Sequence, residues 1–186
     1  MPVIAVFSAK GGVGKTTLAV ELAWRSAVCL GHRSALWDLD AQGGCSYLLG
    51  LDAPPGLRAA SAFYKASNLR DLAFETRFKR LFLLPSDQSL RNLILTFARI
   101  GSPHRLAQQA KFLAASFDRV IMDCPPGLNA ASEQIIAAAD LLVVPLSATC
   151  LKTGTLDKIR AELLRQHGRH APILPVLSDR KSTRLN

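Results

Sequence analysis

Eight consecutive residues, Lys10-Gly11-Gly12-Val13-Gly14-Lys15-Thr16-Thr17, carry the densest chemistry in this 186-residue chain. The three glycines let successive backbone N–H groups turn toward one point without Cβ clashes, and a helix starting near Lys15 aims its positive dipole end at the same point. That is a cradle for phosphate. Lys15 would add a point charge on the β- and γ-phosphates and the Thr16 hydroxyl a ligand for Mg²⁺, so the stretch predicts a nucleoside triphosphate with Mg²⁺. The P-loop template G-x-x-x-x-G-K-[ST] asks for a glycine five places before Gly14, where this chain has Ala9, and a second lysine stands at position 10.

Two further clusters follow apolar runs. Asp38-Leu39-Asp40-Ala41-Gln42-Gly43-Gly44 comes after residues 34–37, and Cys124-Pro125-Pro126-Gly127 comes after a run that ends in Asp123. Ligands of open α/β sheets bind beyond the carboxyl ends of the strands, so acids placed there are meaningful. Phosphoryl transfer needs a water aligned with the γ-phosphate and little else from side chains. An apolar strand ending in Asp123 is a Walker B arrangement, its carboxylate reaching Mg²⁺ through the metal's water shell.

The K-G-G-x-G-K-T-T arrangement resembles the deviant Walker A motif of the ParA/MinD family of ATPases. D-x-D-x-Q-G resembles the segment after the second strand in ParA-type proteins, with Ala41 where proline is usual, and D-x-P-P-G resembles the family's switch II. The segments Leu81-Phe82-Leu83-Leu84-Pro85-Ser86 and Ala139-Asp140-Leu141-Leu142-Val143-Val144-Pro145-Leu146 are also similar to their ParA counterparts, and the resemblance runs from about Val3 to Leu177. It implies ATP and Mg²⁺ as cofactors, with Gly11, Gly12, Val13, Gly14, Lys15, Thr16 and Thr17 around the nucleotide and the Gly127 N–H at the γ-phosphate. Thr16, Asp38 and Asp123 would serve the metal. Lys15 would hold the phosphates, Asp40 would position the attacking water, and Lys10 would reach across an ATP-state homodimer to the other subunit's phosphates.

The activity so implied is a slow ATPase acting as a dimerising switch that positions or partitions a plasmid, a chromosome or a protein complex. Non-specific DNA and a ParB-like or other activating partner would be its contacts, in the cytoplasm and associated with the nucleoid. Two alternatives stay open: a MinD-like membrane-associated positioning ATPase, and an ATP-gated regulatory partner of a polysaccharide-synthesis or secretion machine. Metabolic enzymes on related folds, such as cobyrinate amidases or dethiobiotin synthetase, fit less well because the chain is short and shows no second substrate motif.

These motifs need strands to present them. Residues 3–7, 34–37, 81–84, 119–123, 140–145 and 173–177 read as strands, mostly unbroken apolar runs typical of a sheet covered on both faces. Leu18, Leu22, Ala23 and residues 28–30 give helical periodicity that Gly31 ends. Residues 45–51 read as an apolar patch, 52–56 as a turn cluster and 57–78 as an irregular helix. Helices are predicted at 89–99, 104–116, 130–139 and 155–167. Alternating strands and helices predict an α/β fold: a doubly wound, mostly parallel sheet flanked by helices.

The length suits one domain with one core, and 49% hydrophobic content agrees. No apolar run approaches a membrane span, and no secretory signal opens the chain. Cys29, Cys45, Cys124 and Cys150 show no C-x-x-C spacing and no His in ligand register, which predicts free or buried thiols rather than zinc, with Cys124 as packing. His32, His104, His167 and His170 share no motif. The net charge of +9 is uneven: residues 58–111 carry ten Lys/Arg against three acids. That is either a nucleic-acid footprint or a solvated basic face. Residues 179–186 can be encoded by GATCGGAAGAGCACACGTCTGAAC, part of a common short-read sequencing adapter. The expectation is therefore a single ATPase domain over residues 1–178, incomplete at its C-terminus, followed by a non-native tail.

Overall fold

The central strands of this chain have unbroken apolar interiors because helices cover both faces of the sheet there, as in the Val-Ile-Met of Arg119–Asp123 and the run Leu141–Leu146. The computed structural model describes residues 2–51, 54–64, 69–92, 105–127, 130–147, 155–167 and 171–178. Its elements are β1 (Val3–Val6), α1 (Lys15–Trp24), β2 (Ser34–Asp38), α2 (Gly44–Leu49), α3 (Ser61–Tyr64), β3 (Phe74–Glu75), β4 (Leu81–Leu84), α4 (Arg105–Ala114), β5 (Arg119–Asp123), α5 (Ala130–Ala138), β6 (Leu141–Leu146), α6 (Thr155–His167) and β7 (Ile173–Leu177). The strands form one sheet in the order β3-β4-β2-β5-β1-β6-β7. Every pairing is parallel except that of β3, an antiparallel edge against β4. The doubly wound α/β fold is as expected.

Alternation along the strands sorts the core into two layers. Val6, Leu36, Ile121 and Val143 face Ala19 and Ala23 of α1 and Cys45 and Leu49 of α2. Ala5, Ala35, Met122 and Val144 face the other way, packing with Leu106 and Leu113 of α4, Ile135 and Ile136 of α5 and Ile159 of α6. The same alternation places the chemistry. Asp38 lies two residues beyond Leu36 and Asp123 two beyond Ile121, so both carboxylates belong to the layer under α1 and α2. The β2–β5 register sets Asp38 directly beside Asp123.

Four local readings change. The first helix does not run evenly to Gly31: Arg25–Cys29 wind as a π-helical turn, closed by the Leu30 N–H donating to the Arg25 carbonyl at 3.0 Å. The wider turn lets the buried Ser34 hydroxyl donate to the Ser26 hydroxyl at 2.9 Å, tying the helix end to β2. Residues 45–51, read as an apolar patch, lie largely in α2, whose two ends are glycines in the left-handed region, Gly43 and Gly50. Residues 57–78, read as one helix, divide into α3, a 3₁₀ turn at Leu69–Leu72 and β3, with 65–68 outside the described residues. Thr76 explains the break, its hydroxyl donating to the Leu81 carbonyl at 2.9 Å and accepting from the Phe78 N–H at 3.1 Å. These bonds hold a tight β3–β4 turn in place of a helical one. Of the helix predicted at 89–99, the described part is a 3₁₀ turn, Gln88–Asn92, and residues 93–104 lie outside the description.

Candidate functional site

The loop from β1 to α1 starts at the carboxyl end of a central strand, where its neighbours β5 and β6 also end. Gly12 and Gly14 adopt φ of +74° and +86°, a region in which a side chain is strained. Gly14 is the cap residue of α1 and, having no side chain, makes no side-chain cap to it. Its first-turn N–H groups are left for an external acceptor, as a phosphate site requires. Lys15 is 7% exposed and forms no ion pair among the described residues. A buried cation with no ion pair among the described residues, at a helix N-terminus, is poised for an anionic ligand.

These residues wall a cleft of about 810 Å³. Gly12, Val13, Gly14, Lys15, Thr16 and Thr17 line one side, and Pro145, Ser147, Val176, Leu177 and Ser178, from the ends of β6 and β7, line the other. Gly11 and Lys10 are exposed and lie outside the lining; the Lys10 N–H donates to the Ser8 hydroxyl at 3.2 Å. The β6 and β7 wall was not read from the sequence, because nothing local marks Val176 or Ser178 as facing α1. Parallel pairing of β7 to β6 brings them there.

The acids adjoin the cleft through Thr16. Asp38 is 0% exposed, its Oδ1 accepting from the Asp40 N–H at 3.0 Å and its Oδ2 from the Cys45 N–H at 3.1 Å. Burial, reinforced by the Asp123 carboxylate, pushes Asp38 from 3.8 to about 7. Asp123 is raised too, chiefly by burial, although the Thr16 hydroxyl and the Lys15 charge pull it back. Its Oδ1 is buried without a hydrogen-bond partner among the described residues. Such an atom, beside a threonine hydroxyl and a second carboxylate, fits a hydrated Mg²⁺. Asp40 is half-buried and its Oδ1 accepts the Gln42 N–H at 3.1 Å, closing the turn that leads to α2. Gly127 has φ +88°, and a Cβ there would meet nothing within 4 Å among the described residues.

Sequence reasoning missed two residues here. Gly44 approaches Thr16 so closely that a Cβ would lie 2.9 Å from the threonine methyl. The Cys45 thiol lies 3.5 Å from Asp123 Oδ2, where burial and then the Asp38 and Asp123 charges push it well above its ordinary range. The spacing of Cys and His in the chain argued only against a zinc set of those types. It carried no sign that β2, α2 and β5 bring two carboxylates to one thiol. Cys124 is fully buried, as packing requires; Cys150 lies outside the described residues.

A left-handed glycine loop ahead of an uncapped helix, with paired carboxylates at the next strand ends, defines a P-loop nucleotide-binding α/β protein. The family described as an AAA domain matches residues 1–166. The chain is 30% identical over 181 residues to the chromosome partitioning protein ParA of Caulobacter vibrioides, covering 94% of this chain and 66% of that one. Among solved structures it is similar to apo McdA of Cyanothece, with a TM-score of 0.80 and 26% identity over 95% of this chain and 72% of that one. A cobyrinic acid a,c-diamide synthase of Mycobacterium smegmatis, with bound ATP analogue and magnesium, gives 0.80 and 28% over 98% and 76%. The chain belongs to the ParA/MinD family of P-loop ATPases. It spans from 51% to 66% of the length of the first curated relatives it matches.

Proposed function

We propose that this chain is the nucleotide-binding part of an ATP-dependent dimerising switch that positions or partitions cargo through ATP-dependent, non-specific DNA binding. The observation that carries the reading is the cleft: a buried Lys15, without an ion pair among the described residues, at a helix start capped by a left-handed glycine, with Asp38 and Asp123 side by side behind Thr16. The glycine loop and α1 accept the phosphates, and Lys15 neutralises charge that develops on them. Thr16, Asp123 and Asp38 would hold Mg²⁺, which when bound screens the β- and γ-phosphates. Asp40, at the turn after β2, orients the attacking water, and the Gly127 N–H follows the γ-phosphate. Lys10, exposed and outside the cleft of its own chain, acts on the other subunit's nucleotide, which makes association depend on ATP.

The DNA assignment rests on the ten Lys/Arg of residues 58–111 and on the name of the Caulobacter relative. Of the cations in that stretch, Arg77, Lys79 and Arg80 are exposed and form no ion pair among the described residues. Binding to random-sequence duplex with ATP and Mg²⁺ should weaken steeply as salt is added and vanish in Lys10→Ala together with ATP-dependent dimerisation. Absent or salt-insensitive binding in ATP would overturn the DNA reading. A Lys10→Ala protein that dimerises on ATP like the parent would remove the switch.

A further inference from the structure

One buried side chain at the site takes no part in the proposed ATPase chemistry. Cys45 is 0% exposed in the first turn of α2, and its Sγ stands 3.5 Å from Asp123 Oδ2. One ligand atom from each of Asp38, Cys45 and Asp123 lies within 4.8 Å of the other two. Asp123 Oδ1, in a residue only 1% exposed, is buried without a hydrogen-bond partner among the described residues. Neither carboxylate forms an ion pair among the described residues.

We infer that Asp38, Cys45 and Asp123 form a binding site for a thiophilic divalent cation of the zinc class in the nucleotide-free protein, with a fourth position left for water or the Thr16 hydroxyl. Mg²⁺ takes oxygen ligands and ignores a thiol, whereas one thiolate with two carboxylates suits Zn²⁺ or Co²⁺. Zinc-to-ligand distances set neighbouring ligand atoms of a tetrahedron roughly 3.3–3.6 Å apart. The Sγ to Oδ2 separation of 3.5 Å already meets that spacing. Binding forms a sulfur–metal bond and releases the thiol proton to solvent, with no change in oxidation state. Because the cation engages Asp38 and Asp123, it opposes Mg²⁺ with nucleotide. The thiol thereby makes this ATPase cleft sensitive to zinc-class ions.

The test is a titration of the chelator-stripped chain with Co²⁺ alone, read by the thiolate-to-cobalt charge-transfer band. A band that saturates at one equivalent, is displaced by Zn²⁺ and is lost in Cys45→Ser and in Asp123→Asn is expected. Cys29→Ser, Cys124→Ser and Cys150→Ser should keep it. Circular dichroism establishes that Cys45→Ser is folded. In the second arm, one equivalent of Zn²⁺ should weaken Mg²⁺-ADP binding roughly ten-fold or more in the parent but not in Cys45→Ser. No band in the folded parent, a band that survives Cys45→Ser, or equal weakening in both proteins would overturn the site.

Discussion

Thr16 is the residue on which the site converges, because the loop, α2 and the Walker B acid all meet its side chain. A methyl group at Gly44 would stand 2.9 Å from the Thr16 methyl and push the hydroxyl away from Asp123. Gly44→Ala is therefore expected to lower Mg²⁺-ADP affinity by about ten-fold, some 1.4 kcal/mol, in a calorimetric titration. Its melting temperature should move little, since the substitution otherwise suits a helix. Asp38 gives a pH prediction with a definite sign. Its carboxyl, raised from 3.8 to about 7, keeps its proton in the folded chain where the unfolded chain has lost it. Its contribution to stability is complete below about pH 4 and is lost as pH rises through about 7, on the order of 4 kcal/mol in all. Melting of the nucleotide-free, Mg²⁺-free protein should fall between about pH 4 and 7, with a shallower slope in Asp38→Asn. A melting temperature that climbs across that window would contradict the assignment.

At the scale of elements, the site depends on the register of β2 against β5. Leu36 and Ile121 are paired and buried one step before the paired acids reach the same face. Truncating Leu36 to Ala should cost about 2–5 kcal/mol in urea denaturation and loosen Asp38 at the same time. Much of this scaffold was legible. The glycine loop, the two acid clusters and the strands that present them stand in the sequence, because an apolar run followed by glycine or acid is a local pattern. Three things were not. The π-helical turn at Arg25–Cys29 depends on Ser26 meeting Ser34, which no periodicity shows. The breakup of residues 57–78 depends on Thr76 reaching Leu81 and on an edge strand two residues long. The far wall of the cleft depends on β7 pairing with β6. Each is a contact between elements, and local propensity carries no record of it.

For the whole molecule, the sheet divides the labour. Its carboxyl end gathers the glycines, Lys15, Thr16 and the acids. Its opposite end carries the cations of the β3–β4 turn, with Arg80 Nη1 donating to the Gly31 carbonyl at 2.6 Å and the Arg33 guanidinium lying over Phe82 and Phe117. Among the described residues no helix is long and apolar enough to cross a membrane. Everything proposed about switching rests on nucleotide entering the cleft lined by residues 12–18. The direct measurement is isothermal titration of the chain with ATP in the presence of Mg²⁺, set beside Lys15→Ala. The account predicts a single site in the parent and a loss of about 100-fold or more, near 3 kcal/mol, when the buried lysine is removed from a protein that remains folded. Equal affinity in the two proteins would contradict it.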